Sequence, residues 1–210
     1  MKQRNDLYNQ VIDKFERVDF ECEPVKIFHI RDEKDQYNDV WNDYLGFIDK
    51  DKNVWLSIGT TDPGSNAYHR HSEGAAHMCL GLHKEIWVID IHCKSIPIFA
   101  HEALCSRPER GCEPIKYWRD SNQNRIYDSN ELILDNFIGI NCHRASARRL
   151  VATIGDYSDA CQVRQDINDH LLFMDALKQF DEVKATKKDI GVYNYKFSCL
   201  LTLKQDWSNL

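Results

Sequence analysis

The sequence predicts a mainly β chain of the α+β class, and three observations lead there. Apolar residues fall in short runs bounded by turn signals, helical spacing is confined to two stretches, and the segment Val192 to Leu203 is apolar without a helical stripe. Between Asn5 and Phe15, the apolar residues Leu7, Val11, Ile12 and Phe15 recur at helical spacing and predict an N-terminal amphipathic helix.

Val25 to Ile30 reads as a short strand. The polar stretch RDEKDQYND then leads into Val40 to Ile48, where Trp41, Tyr44 and Phe47 form an aromatic-rich patch before the turn DKDKN. Strand Val54 to Ile58 precedes TTDPGSN, whose Asp-Pro-Gly is a strong turn signal, and a histidine-bearing loop, AYHRHSEG. From Ala75 to Ala103 the short apolar runs around GLHK predict a hairpin or meander. Tyr117-Trp118, Leu132 to Asn141 and Val151 to Ile154 continue the β pattern around a polar loop from Arg119 to Asn130. Asp166 to Phe180 shows the second helical stripe, with Ile167, Leu171, Leu172, Met174 and Leu177 expected on the core side.

The 210 residues are expected to form a single domain. Within it, residues 1–50 would hold the N-terminal helix and an accessory strand region, and residues 51–205 the catalytic core. A net charge of -6 argues against nucleic acid as a partner. No apolar window is long enough to cross a bilayer, so no membrane partner is expected. Charges interrupt every apolar run between Met1 and Arg17, which predicts no signal peptide and a cytoplasmic location at synthesis. The eight cysteines show no framework spacing, and most read as buried thiols in a reducing compartment. Cys105 and Cys112, which bracket SRPERG, are the one pair placed to close a loop on oxidation.

The chemistry-bearing segment is IGINCHRASARRLVATIGDYSDACQV, beginning at Ile138. His143 ends an apolar strand, and Cys161 follows the polar turn GDYSD eighteen positions later. If Leu150 to Ile154 and Ile138 to Cys142 are neighbouring strands, the chain folds back and brings the thiol to the imidazole, as a nucleophile and its base require. Taken singly, each residue reads as a buried thiol or a satisfied polar histidine.

His143, fourteen intervening residues, Ser158, two residues and Cys161 resemble the signature of the L,D-transpeptidase family, in which a His-Gly pair precedes Ser/Thr-His-Gly-Cys. The resemblance spans Trp55 to Leu177 and includes TTDPG at Thr60 to Gly64, GAAH at Gly74 to His77, WRDSNQN at Trp118 to Asn124 and GINCHRAS at Gly139 to Ser146. It implies an L,D-transpeptidase-like β-sandwich or barrel with a helix after the catalytic cysteine. Cys161 would be the acyl-forming nucleophile, His143 the base, the Arg144 backbone carbonyl the group that orients the imidazole, and the Ala160 and Cys161 N–H groups the oxyanion hole. The chain departs from the pattern at Arg144, which replaces a glycine, and at Asp159-Ala160, which replaces His-Gly.

The family acts on peptidoglycan stem peptides through a thioester, so the resemblance implies those peptides as partners and no cofactor. Arg144, Arg148 and Arg149 suit substrate carboxylates, with Tyr157 and Ser158 as further substrate-binding candidates. The alternative is a non-catalytic virion or scaffold module that keeps the fold. Delivery in a virion or by a secretion system, with the periplasm as destination, fits a wall substrate.

Two metal patterns stand beside this site. Asp120, Asn122, Asn124, Ile126, Asp128 and Glu131 occupy ligand positions of a twelve-residue calcium loop. Arg125, however, stands where that loop needs glycine, so a polar hairpin turn is the expected form. Histidines 69, 71, 77, 83, 92 and 101, with Cys79 and Cys93, lack zinc-ligand spacing, and no metal is expected there.

Overall fold

The computed structural model describes residues 1–34, 39–188, 192–208 and 210, so Asp35 to Asn38 of the polar stretch lie outside the described residues. The first half holds β1 (Lys2–Gln3), α1 (Tyr8–Glu16), β2 (Ile27–Arg31), β3 (Asp43–Ile48), β4 (Val54–Thr60), α2 (Ala67–Arg70), β5 (Ala75–Met78), β6 (Gly81–His92) and β7 (His101–Cys105). Next come β8 (Ile115–Asp120), β9 (Ile133–Asn136), β10 (Cys142–Arg144), β11 (Gln162–Arg164), α3 (Ile167–Leu177) and α4 (Asp181–Ala185). The chain finishes with β12 (Lys187–Lys188), β13 (Val192–Tyr193) and β14 (Phe197–Leu203).

The fold is mainly β and is built on a closed eight-stranded barrel with few helices. Around the cylinder the order is β4-β11-β10-β7-β6-β14-β2-β3, and pairing of β3 with β4 closes it. Two of its contacts are parallel, β2 with β14 and β10 with β11. The strands before residue 50, set apart in the sequence as accessory, supply two of the eight staves. A smaller sheet, β5-β8-β9, lies outside the ring.

Alternation sends the side chains of β2 to two faces, and both are buried. Ile27 points into the core shared with Leu45, Phe47, Leu104, Cys142 and Cys199, whereas Phe28 and Ile30 point outward beneath Leu7, Val11 and Phe15 of the N-terminal helical segment. Side chains fill the barrel, as expected at this strand number. Among them is Arg164, which donates to Cys142 Sγ at 3.1 Å and lies 3.5 Å over the Phe173 ring.

Two expectations need correction. The α3 stripe is His170, Phe173, Met174 and Leu177, while Leu171 and Leu172 are 53% and 56% exposed. Positions 170, 173, 174 and 177 follow the helical repeat, and a histidine on the buried stripe conceals it from an apolar pattern. Val151 to Ile154 is a connection instead of a strand: Ile154 N donates to Asp39 O at 3.1 Å, and Gly155 N donates to the Asp39 carboxylate at 3.0 Å. Asp166 caps α3 by accepting from Asn168 N at 2.8 Å.

Candidate functional site

With Val151 to Ile154 irregular, the neighbour of β10 is β11 itself. The two run parallel with Cys142 opposite Gln162 and His143 opposite Val163. Paired residues share a face and alternate along the strand, so Cys142, Gln162 and Arg164 face the barrel interior while His143 and Val163 face outward. Cys161, two positions before Val163, lies on the outward side with His143.

The His143 imidazole is 5% exposed, and its Nδ1 lies 2.8 Å from Arg144 O. A carbonyl only accepts, so Nδ1 carries the proton and Nε2 keeps the lone pair that a general base uses. Burial above all holds His143 well below the ordinary histidine range, so the ring is neutral at rest.

Cys161 is half-buried. Its Sγ accepts from Asn141 N at 3.4 Å and lies 3.8 Å from Gly139 O; it is not hydrogen-bonded to His143. Burial pushes the thiol up to about 12, with Asn141 N–H pulling the other way. Thiol and imidazole therefore both stand neutral.

Around them the outer wall gathers more histidines than the motif names. His92 ends β6 opposite His101 on β7, and His170 reaches in from α3. The His92 and His143 rings stack at 4.1 Å with planes 13° apart. His101 stands edge-on to His143 at 5.8 Å and to His170 at 5.7 Å. Asn141 ties the group to the thiol: its Oδ1 accepts from Ser106 N at 2.9 Å and its Nδ2 lies 3.2 Å from His92 Nδ1. In the sequence His92 and His101 stood only among the histidines weighed for zinc, and Asn141, inside GINCHRAS, carried no role of its own.

The segment before Cys161 is held on several sides. Buried Ser158 donates through Oγ to Cys161 O at 2.9 Å, so this hydroxyl faces the backbone of the cysteine turn. Asp159 pairs with Arg70 at 3.1 Å, and Arg70 also takes Asp156. Gly64 N donates to Ser158 O at 2.8 Å, and a Cβ at Gly64 would meet Gly155 O at 2.2 Å, so the TTDPG turn sits against the turn before the cysteine without room for a side chain. Asp62 in turn takes Arg31 at 3.0 Å and His77 Nδ1 at 3.1 Å, while Tyr68 OH lies 2.9 Å from His77 Nε2. TTDPG and GAAH thus form one buried polar network behind the site.

Arg148 and Arg149 are exposed in the loop after β10, and Tyr157 is half-buried with its ring 6.5 Å from Trp41. Ala160 is buried, and its carbonyl lies 3.4 Å from Gln162 Nε2. In the polar hairpin, Asp120 accepts from Asn124 N at 3.0 Å and Arg125 N at 2.7 Å, Asp128 accepts from the Asn122 and Asn124 side chains, and Glu131 accepts from Ser121 N and Asp128 N. Arg125 itself adopts φ +62°, the left-handed turn that glycine makes in a calcium loop. Of the histidines outside the cluster, His83 bonds Cys79 O at 2.8 Å, and His69 is exposed. Among the described residues no three His, Cys, Asp or Glu side chains are grouped to hold a metal. Cys105 and Cys112 are buried free thiols.

Comparison with family models, curated proteins and solved structures gave no match.

Proposed function

We propose that the chain is a cysteine-dependent enzyme that opens peptide amide bonds through a thioester, with Cys161 as nucleophile and His143 as base. The observation that carries this reading is the Nδ1–H bond from His143 to Arg144 O at 2.8 Å, on the strand beside the one that Cys161 leads into. It leaves the lone pair at Nε2, on the face that Cys161 shares.

Both groups rest neutral, so the thiol gives up its proton during attack instead of before it. The sulfur bonds to the acyl carbon as its proton passes to His143 Nε2. Collapse of the tetrahedral adduct breaks the C–N bond, and the amine leaves with that proton. Water or a second amine then attacks the thioester, again losing a proton to His143, which returns it to the departing sulfur.

The resemblance to L,D-transpeptidases favours stem peptides of peptidoglycan as substrate. Exposed Arg148 and Arg149, beside Arg144, suit their carboxylates. Mass spectrometry of muropeptides after incubation with bacterial sacculi tests this. Altered stem-peptide linkages that disappear in Cys161→Ala and His143→Ala are expected; unchanged sacculi across several wall types would refute the substrate.

One observation favours a second reading. A thiol pushed up to about 12 and not bonded to the imidazole suits a binding or structural module that has kept the fold. In that case neither substitution would alter sacculi, while the protein would still be retained on a wall or virion surface.

A further inference from the structure

We propose that His92, held neutral by Asn141, is a positioning residue for the Cys161–His143 pair: it lies face-on to His143 and stabilises that ring when it carries the proton taken from Cys161. This rests on the cysteine–histidine reading above.

Asn141 fixes the protonation of His92 by its own geometry. Its Oδ1 is committed as acceptor to Ser106 N at 2.9 Å, which turns the Nδ2 donor toward His92 Nδ1 at 3.2 Å. That ring nitrogen must therefore supply a lone pair, and the His92 proton sits on Nε2. A second proton could enter only by breaking the hydrogen bond that the Asn141 amide donates to Nδ1. The same residue donates its backbone N–H to Cys161 Sγ at 3.4 Å, so a single asparagine holds both the nucleophile and the ring that backs its base.

A neutral ring is what a buried imidazolium needs at its face. At 4.1 Å and 13° two charged rings would repel, whereas a charged ring over a neutral π face is attracted, the more strongly where water is excluded. The other groups facing the pair do not replace this interaction. His101 of β7 lies edge-on to both rings, His170 of α3 stands behind it, and the cations Arg107 and Arg144 act on His92. Charge on His143 is therefore favoured mainly by the stacked neighbour and the Arg144 carbonyl.

Alkylation by iodoacetamide reads this without knowledge of the substrate. The Cys161 S–H bond breaks with its proton going to His143, sulfur bonds to the methylene carbon, and iodide leaves. Rates at Cys161 are followed by peptide mass spectrometry from about pH 6 to about pH 10, with exposed Cys22 as internal reference. His92→Leu is expected to slow the neutral-pH rate about tenfold and to leave the rate near about pH 10 unchanged, because hydroxide then removes the proton directly. His92→Phe, which keeps a face, is expected to stay within about threefold of wild type.

Asn141→Ala should slow the neutral-pH rate in the wild-type background and have little effect beside His92→Phe, since phenylalanine has no tautomer to fix. Equal slowing at every pH, or additive effects of Asn141→Ala and His92→Phe, would overturn the proposal and leave a purely structural role. So would a His92→Leu rate within about twofold of wild type while His143→Ala is slow, with the cysteine–histidine pair left standing. If His143→Ala itself has no effect at neutral pH, the pair fails and the inference fails with it.

Discussion

His92 and His143 lie face to face, 4.1 Å apart, although their strands are not neighbours. β7 runs between β6 and β10, and the rings meet across it because both project from the outer wall of the barrel. The contact brings a histidine from a hairpin end into the site built by the motif, and buries imidazoles together with few groups that would welcome their protons.

Acid should therefore weaken the fold through this cluster. Burial lowers His170 to about 3 and His92 to about 4, and His143 also lies well below the ordinary range. In the unfolded chain each ionises near about 6.5, so as pH falls below that value the unfolded state takes up protons that the native state refuses. The cluster's contribution to stability is fullest above about pH 6.5 and declines toward about pH 4, by roughly 1.4 kcal/mol per pH unit for each fully buried ring. Urea midpoints measured across this window should show the slope, and His170→Gln should reduce it. A wild-type slope already absent would refute the assignment.

Ser158→Ala should loosen the cysteine turn. Its hydroxyl serves the Cys161 carbonyl, and losing that bond in a buried place costs about 1–2 kcal/mol. Thermal melting should show the loss, and Cys161 alkylation should change while Cys22 labelling does not.

Gly64→Ala should act on the site from a distance in sequence. The added methyl has no place beside Gly155 O, so the turn preceding Cys161 must shift. We expect a drop of about 2 kcal/mol in stability together with slower Cys161 alkylation, measured on the same preparation. A variant with unchanged melting and labelling would show that the two turns are not coupled.

The face of α3 can be checked by two substitutions one residue apart. Leu172→Gln should stay within about 0.5 kcal/mol of wild type, whereas Phe173→Ala, beneath Arg164 and 5.2 Å from Phe47, should cost about 3–5 kcal/mol in chemical denaturation. The reverse order would restore the helix face that apolar spacing alone suggested.

Inside the barrel, Arg164 is fully buried and its hydrogen bond is to Cys142 Sγ. Removing the partner with Cys142→Ala should destabilise by about 3 kcal/mol, while Arg164→Met, which removes the charge and keeps the bulk, should be close to neutral. Denaturant titrations that rank Arg164→Met as the worse variant would contradict this account.

Much of the architecture was legible because it rests on local patterning. The N-terminal helical segment shows as Leu7, Val11 and Phe15 on one stripe; β4 lies where Val54 to Ile58 predicted; and Asp-Pro-Gly leads into a turn closed by Ala67 N and Gly64 O. What could not be read depends on partners far away in sequence. Val151 to Ile154 has strand-like residues, yet Asp39 takes the backbone N–H groups of Ile154 and Gly155, and no local signal announces that contact. His170 hides the buried stripe of α3 because a polar residue there is acceptable only once Glu102 O is in place at 2.8 Å. For the proposed site, the motif picked out His143, Arg144 and Cys161, and His143 Nδ1 lies 2.8 Å from Arg144 O. It could not name His92 or Asn141, because their roles arise from a stack across β7 and from an amide whose direction is set by Ser106.

The pairing of β14 with β2 also governs how the chain can acquire its shape. Thr202 Oγ1 donates to His29 O across 173 positions, and β14 fills the gap between β2 and β6. Until that strand arrives, β2 and β6 each expose an unpaired edge and the cylinder remains an open, twisted sheet. Closing so large a loop before its contacts can reward it makes folding slow, and the two waiting edges are where misassembly between chains would begin.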